Sequence, residues 1–204
     1  MKTKWIELCK TYSSNQESIE QIWQILLKRH SEPHRFYHNL NHLEYLLNLI
    51  ECHRSIINKP NLMMFSVFMH DIIYDTSATD NEEKSAEQAE IFLQQLNIKP
   101  IEIQYIKQQI LATKKHEFNT DSDTNIFLDF DLGILSGLEH DYKLYSQKIR
   151  QEYQIYNDEI YYPGRKLVLE SFLQKKAIYH TKILGKDAEQ KARLNIKNEL
   201  KGIG

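Results

Sequence analysis

A chain of 204 residues, 41% hydrophobic and 26% charged, has the composition of a soluble globular protein and is long enough to bury a core without disulfide staples. A net charge of −2 and a pI near 6.5 exclude the basic footprint that nucleic acid or an anionic lipid surface would require. With six glycines and four prolines the chain is too poor in turn formers for a sheet-rich fold, and no stretch approaches the ~20 apolar residues of a transmembrane helix.

Apolar residues recur mostly at spacings of three and four, the helical period. Ile19, Ile22, Trp23, Leu26 and Leu27 form a first stripe that ends near His30, closed by Ser31-Glu32-Pro33. Leu43, Leu46, Leu47 and Ile50 form a second, in a helix expected to begin around Asn39. Leu62 to Tyr74 is nearly continuously apolar, as in a helix buried on most sides. Thr79-Asp80-Asn81-Glu82 reads as a capping box opening a helix through Ala86, Ala89, Phe92, Leu93 and Leu96, which stops before Pro100. Ile103, Ile106, Ile110 and Leu111 predict a helix running toward His116, followed by a polar loop over 119–125. Ile126 to Leu138 is a shorter apolar segment. Further helices are expected over Leu144 to Tyr156, over Arg165 to Tyr179 behind Pro163-Gly164, and over Ala188 to Leu200. The expected class is all-α, one domain over 1–204, with a core at about 36–135 and C-terminal helices at about 138–202. Cys9 and Cys52, without framework spacing, read as small buried apolar residues and suit a reducing cytoplasm. Twelve tyrosines and eight phenylalanines also leave material for an apolar homo-oligomer interface.

Three places break the pattern of apolar interior and polar surface. In Tyr37-His38-Asn39-Leu40-Asn41-His42 two histidines lie four apart at a helix start, a spacing that lets both address one site. His70-Asp71 interrupts the most apolar segment of the chain. A carboxylate buried there without a partner would cost several kcal/mol, which either a hydrogen-bonded His–Asp pair or a divalent cation would offset. In Phe127-Leu128-Asp129-Phe130-Asp131-Leu132 two carboxylates sit two apart, pointing in different directions on a helix. At most one of them is a direct ligand, and the other orients a ligand or sits at a helix start. Two imidazoles and two carboxylates make a mixed nitrogen–oxygen donor set for Mn, Fe, Zn, Co, Ni or Mg. With open positions for water, such a site does hydrolytic chemistry.

The order H…HD…D on successive helices resembles the HD superfamily of metal-dependent phosphohydrolases, in particular a bacterial subgroup of about this length. The similarity runs from Glu32-Pro33-His34-Arg35-Phe36-Tyr37-His38-Asn39 through His42, His70-Asp71-Ile72-Ile73-Tyr74-Asp75, Asn81-Glu82, Ser85-Ala86, Thr113, His116, Asp129-Phe130-Asp131-Leu132, Arg150-Gln151-Glu152-Tyr153 and Gly164-Arg165. It implies a single helical HD bundle with peripheral N- and C-terminal helices. The ligands it implies are His42, His70, Asp71 and Asp131, with Asp131 preferred over Asp129 because Asp131-Leu132 resembles the last metal motif of cyclic-nucleotide phosphodiesterases. In the same way His38 becomes the general acid and Asp71 acts beside it. His116, Glu82 and Asp129 are candidates for a second metal or for orienting roles; a helix-end cap explains His116 and the capping box explains Glu82 equally simply. A phosphate clamp would draw on Arg35, Lys115, Arg150 and Arg165, with Arg150 favoured because Tyr142, Tyr145 and Tyr153 share its helix and could wall a pocket. His30, His34, His53, His140 and His180 read as surface or capping residues. The implied activity is cleavage of a phosphate ester or anhydride of a nucleotide or another small phosphorylated metabolite. A di-iron oxygenase of the same fold, with His116 as the spare histidine, and a non-catalytic module stabilised by metal remain open alternatives.

Overall fold

A computed structural model describes residues 1–203. Ten α-helices and no strand occur among them, and no described helix is long and apolar enough to cross a membrane. The chain divides into two compact units, Met1–Glu117 and Phe118–Gly204.

The first unit holds six helices: α1 (Lys2–Lys10), α2 (Gln16–His30), α3 (Leu40–Cys52), α4 (Pro60–Met69), α5 (Asn81–Gln95) and α6 (Pro100–Ala112). Helix α1 lies outside the periodic segments read from the sequence; it is short and buries only Trp5, Leu8 and Cys9 on one face. Trp5 anchors it: the ring meets Phe65 and Phe68 edge-on at 5.8 and 5.1 Å, and Nε1 donates to the Ile19 carbonyl at 2.9 Å. Asn15 caps α2 by accepting from the Ser18 N–H. Helix α4 is the hub, packing against α3, α5 and α6, and every residue from Leu62 to Met69 is buried. The single polar group in that run, Ser66, donates to the buried Gln109 side chain at 2.6 Å, so the α4–α6 contact carries no unsatisfied hydroxyl.

Two boundaries in this unit differ from expectation. Helix α4 ends at Met69, so His70 is its C-cap and Asp71 to Tyr74 leave the helix. The carbonyls of Asp71 and Ile72 accept from Arg35 and that of Ile73 from Ser85, side-chain partners that replace the helical ladder. Helix α5 starts at Asn81 with Asp80 as N-cap and no side-chain capping bond, so the expected capping box is not formed. The Thr79 carbonyl accepts instead from Lys114.

The second unit contains α7 (Ser122–Asp131), a 3₁₀ turn at Leu132–Ser136, α8 (Glu139–Glu152), α9 (Asp158–Gln174) and α10 (Ala188–Ile203). Its core gathers Leu135, Tyr142, Leu169, Ile178, Tyr179, Ala192 and Ile196. Residues 122–125 of the expected 119–125 loop are helical, because Asp121 caps α7 through the Thr124 N–H and hydroxyl. Helix α9 begins seven residues before Arg165, capped by Asn157, and Pro163-Gly164 lies inside it. A Cβ at Gly164 would meet nothing within 4 Å, so no turn demands that glycine. The helix stops at Gln174, and residues 175–187 are irregular where the sequence reading carried a helix on to Tyr179. Cys9 is buried as expected, whereas Cys52, near the end of α3, is exposed.

Candidate metal centre

The first histidine pair is built by the start of α3. Asn39 adopts an extended backbone as N-cap, accepts from the Asn41 N–H at 2.9 Å, and donates to the carbonyls of Arg35 and Phe36. His42 therefore sits in the first turn, 5% exposed, while His38 precedes the cap and is not helical. The two rings come together all the same, 5.8 Å apart at 76°. Sharing one helical face is not the reason; the bend at Asn39 is. Tyr37 packs 5.0 Å from His42, and Tyr74 lies 4.6 Å from His38.

The second element is the end of α4. His70 is 1% exposed, and its Nδ1 lies 2.9 Å from the Val67 carbonyl. A carbonyl only accepts, so Nδ1 carries a proton and Nε2 is the nitrogen turned toward the other groups of the site. That nitrogen is 3.0 Å from Oδ2 of Asp71, a half-buried carboxylate. Two acceptors at this separation require a cation between or beside them, a proton or a metal ion. The ring of His70 lies 5.4 Å from that of His42.

Asp131 is the last residue of α7, and Asp129 lies on the same helix two residues earlier. Asp129 is 1% exposed and fully engaged: Oδ1 accepts from the His180 N–H at 2.7 Å, and Oδ2 from the Thr181 N–H and hydroxyl at 2.7 and 2.5 Å. Burial raises its pKa above the ordinary carboxylate value, while the bonds from Thr181 and His180 pull the other way. Asp129 organises the turn that follows α9.

One ligand atom from each of His42, His70 and Asp131 lies within 4.8 Å of the other two, a group able to hold a metal ion. Both histidines are buried and Asp131 is half-buried. Two nitrogens and one or two carboxylates fit a divalent ion of borderline hardness.

The remaining predicted residues are placed differently. Arg35 has a side chain with no exposed surface, and its guanidinium is held by Glu32 and the carbonyls of His38, Asp71 and Ile72, so it is not available to a phosphate. Arg150 binds Asp158 and the carbonyls of Tyr153 and Tyr156 and covers the Tyr161 ring at 4.6 Å. A pocket of about 580 Å³ in the second unit is lined by Tyr142, Arg150, Tyr161 and Tyr162 among others; of the tyrosines expected to wall one, Tyr145 and Tyr153 are not in its lining. Arg165 is buried and paired with Glu199 through two hydrogen bonds at 2.8 and 3.1 Å. Lys115 is exposed just beyond α6, and its neighbour Lys114 pairs with Glu83. His116 has a left-handed φ of 46° and its N–H closes α6 on the Ala112 carbonyl, the helix-end role. Glu82 is half-buried in the first turn of α5. His30, expected at the surface, is 1% exposed, with Nε2 3.4 Å from the Phe68 carbonyl. Burial pushes its pKa down to about 3, so it is neutral.

Sequence reasoning passed over Tyr74 and Ser85. Tyr74 flanks His38, receives Nε2 of His34 at its carbonyl and lies 5.3 Å under the Arg35 guanidinium; Ser85 exchanges two bonds with the Ile73 backbone. Both stand in the quoted motif segments, but nothing in their spacing marks them.

Comparison with known protein families, with characterised proteins and with solved structures finds no match for this chain.

Proposed function

We propose that this protein is a metal-dependent phosphohydrolase of the HD type, cleaving a phosphate ester or anhydride of a nucleotide or another small phosphorylated metabolite. The observation that carries the reading is the group of His42, His70 and Asp131 that could hold a metal ion, with Nε2 of His70 facing Asp71. The reading also draws on the H…HD…D motif order, since likeness to a known relative adds nothing.

His42, His70 and Asp131 would hold the ion, with Asp71 beside His70 as a further ligand or as the group that orients the attacking water. Bound there, a divalent cation lowers the pKa of water and neutralises charge on a phosphoryl group. Val67 holds the proton on Nδ1 of His70, which makes Nε2 the nitrogen that would ligate. His38 lies beside His42 but outside the donor group, and would serve as the proton donor to the leaving oxygen. Tyr74, packed on its ring, limits how far His38 can swing. With Arg35 and Arg165 buried in ion pairs, substrate charge is met chiefly by the ion.

The test is metal content of untagged protein prepared without chelators, beside Asp131→Ala, followed by a panel of phosphate esters and anhydrides. One or two equivalents of divalent metal, absent from the variant, with turnover of a panel member that His38→Ala loses, is the expected result. Stoichiometric iron with a visible absorption band would favour oxygen chemistry. Metal that raises melting temperature without turnover of any panel member would favour the non-catalytic module.

A further inference from the structure

We infer that Arg35 is the positioning residue that holds the two histidine-bearing segments of the metal centre in register. The inference rests on the metal-site reading above. Its guanidinium is completely buried and spans two stretches of chain more than thirty residues apart in sequence. Nη1 donates to the carbonyl of His38 at 3.3 Å and to that of Asp71 at 2.5 Å, and Nη2 donates to the carbonyl of Ile72 at 3.2 Å. Nε donates to Glu32 at 3.0 Å, and the Arg35 carbonyl itself accepts from Asn39, the cap of α3. One planar fork thus touches the proton-donor segment and the His70-Asp71 segment at their backbones, while Asn39 ties its own backbone to the helix that carries His42.

The chemistry of the contacts argues for geometry over charge. A buried cation one peptide away from a metal ligand would oppose metal binding if its field were its contribution. Glu32 neutralises it. Two of the bonds go to main-chain carbonyls, of Asp71 and Ile72, that lie just beyond the end of α4 at Met69, so Arg35 holds the non-helical turn in which Asp71 sits. Had the helix continued, those carbonyls would be turned into its ladder and Asp71 would follow a different path. Only a rigid fork with several donors serves three carbonyls at once; a lysine has one ammonium on a flexible stem.

The experiment uses the full chain as Arg35→Met, Arg35→Lys and Glu32→Gln, with Arg150→Met as a control for loss of an engaged guanidinium in the other unit. Two quantities are read on protein shown folded by circular dichroism: Mn²⁺ affinity by calorimetry, and the ¹⁵N imidazole resonances of His38 and His70 without metal. Arg35→Met is expected to bind Mn²⁺ roughly 10–100-fold more weakly, the size of effect seen when a group that orients a ligand is removed. The His38 and His70 resonances should be displaced. Arg35→Lys should recover part of the affinity, Glu32→Gln should lose less than Arg35→Met, and Arg150→Met should match the wild type. If Arg35→Met does not fold, Arg35→Lys and Glu32→Gln carry the comparison. Folded variants with wild-type affinity and unmoved resonances would overturn the proposal. A wild type that binds no Mn²⁺ would remove the metal reading alone; displaced resonances in Arg35→Met would then still support the register role, and unmoved ones would overturn it.

Discussion

Nδ1 of His70 lies 2.9 Å from the carbonyl oxygen of Val67, one helical turn back in the chain. This one bond assigns a proton to Nδ1 and turns Nε2 toward Asp71. ¹⁵N NMR at neutral pH should therefore show His70 with a protonated Nδ1, and addition of Zn²⁺ should move the Nε2 signal. Finding the proton on Nε2 and none on Nδ1 would contradict the assignment.

Asp129 and Asp131 separate by the same kind of argument. Asp129 accepts three bonds from the 180–181 turn, so Asp129→Ala should destabilise the fold by about 1–3 kcal/mol per donor left unsatisfied while metal content is kept. Asp131→Ala should lose the metal. Metal lost from Asp129→Ala alone would exchange the two roles.

His38→Ala should retain metal and lose roughly 10²–10⁴-fold in turnover, as removal of a general acid does. The effect should shrink for substrates with a good leaving group, such as nitrophenyl phosphate, which needs no protonation. Equal losses on good and poor leaving groups would take the acid role away from His38.

His30 supplies a pH prediction. Its folded pKa is pushed down to about 3 from an ordinary 6.5, chiefly by burial. The unfolded chain therefore binds a proton that the folded chain refuses between those values, and stability falls as pH drops through this window. The slope from this group is on the order of 1 kcal/mol per pH unit, complete above pH 6.5 and spent near pH 3. His30→Gln should flatten the acid limb of stability against pH. A wild-type His30 ring that titrates near 6.5 by NMR would refute its burial as a neutral group.

Arg165 and Glu199 form a buried pair to which the Tyr142 hydroxyl donates at 2.6 Å. Removing one partner leaves a buried charge uncompensated, so Arg165→Met alone should cost about 3–5 kcal/mol. Arg165→Met with Glu199→Leu should recover most of that loss. A double-mutant cycle by denaturant unfolding reads the coupling, and additive losses would show the pair to be independent.

The all-α class was legible in the chain because 3.6-residue periodicity and scarce glycine and proline are local properties, written in the neighbours of each residue. The stripes of Ile19 to Leu27 and Leu43 to Ile50 correspond to α2 and α3, and the polar breaks at His42, His70 and Asp131 pointed to side chains that do converge. What remained hidden was where helices stop and which charges are already engaged. The periodicity of Leu62 to Tyr74 continues past Met69, but the turn at Asp71 is held by Arg35, which lies 36 residues earlier. Arg35, Arg150 and Arg165 look alike as letters. Only tertiary structure closes each around its own partners, because a guanidinium's role depends on which acceptors the fold brings within about 3 Å, and sequence separation does not report that distance.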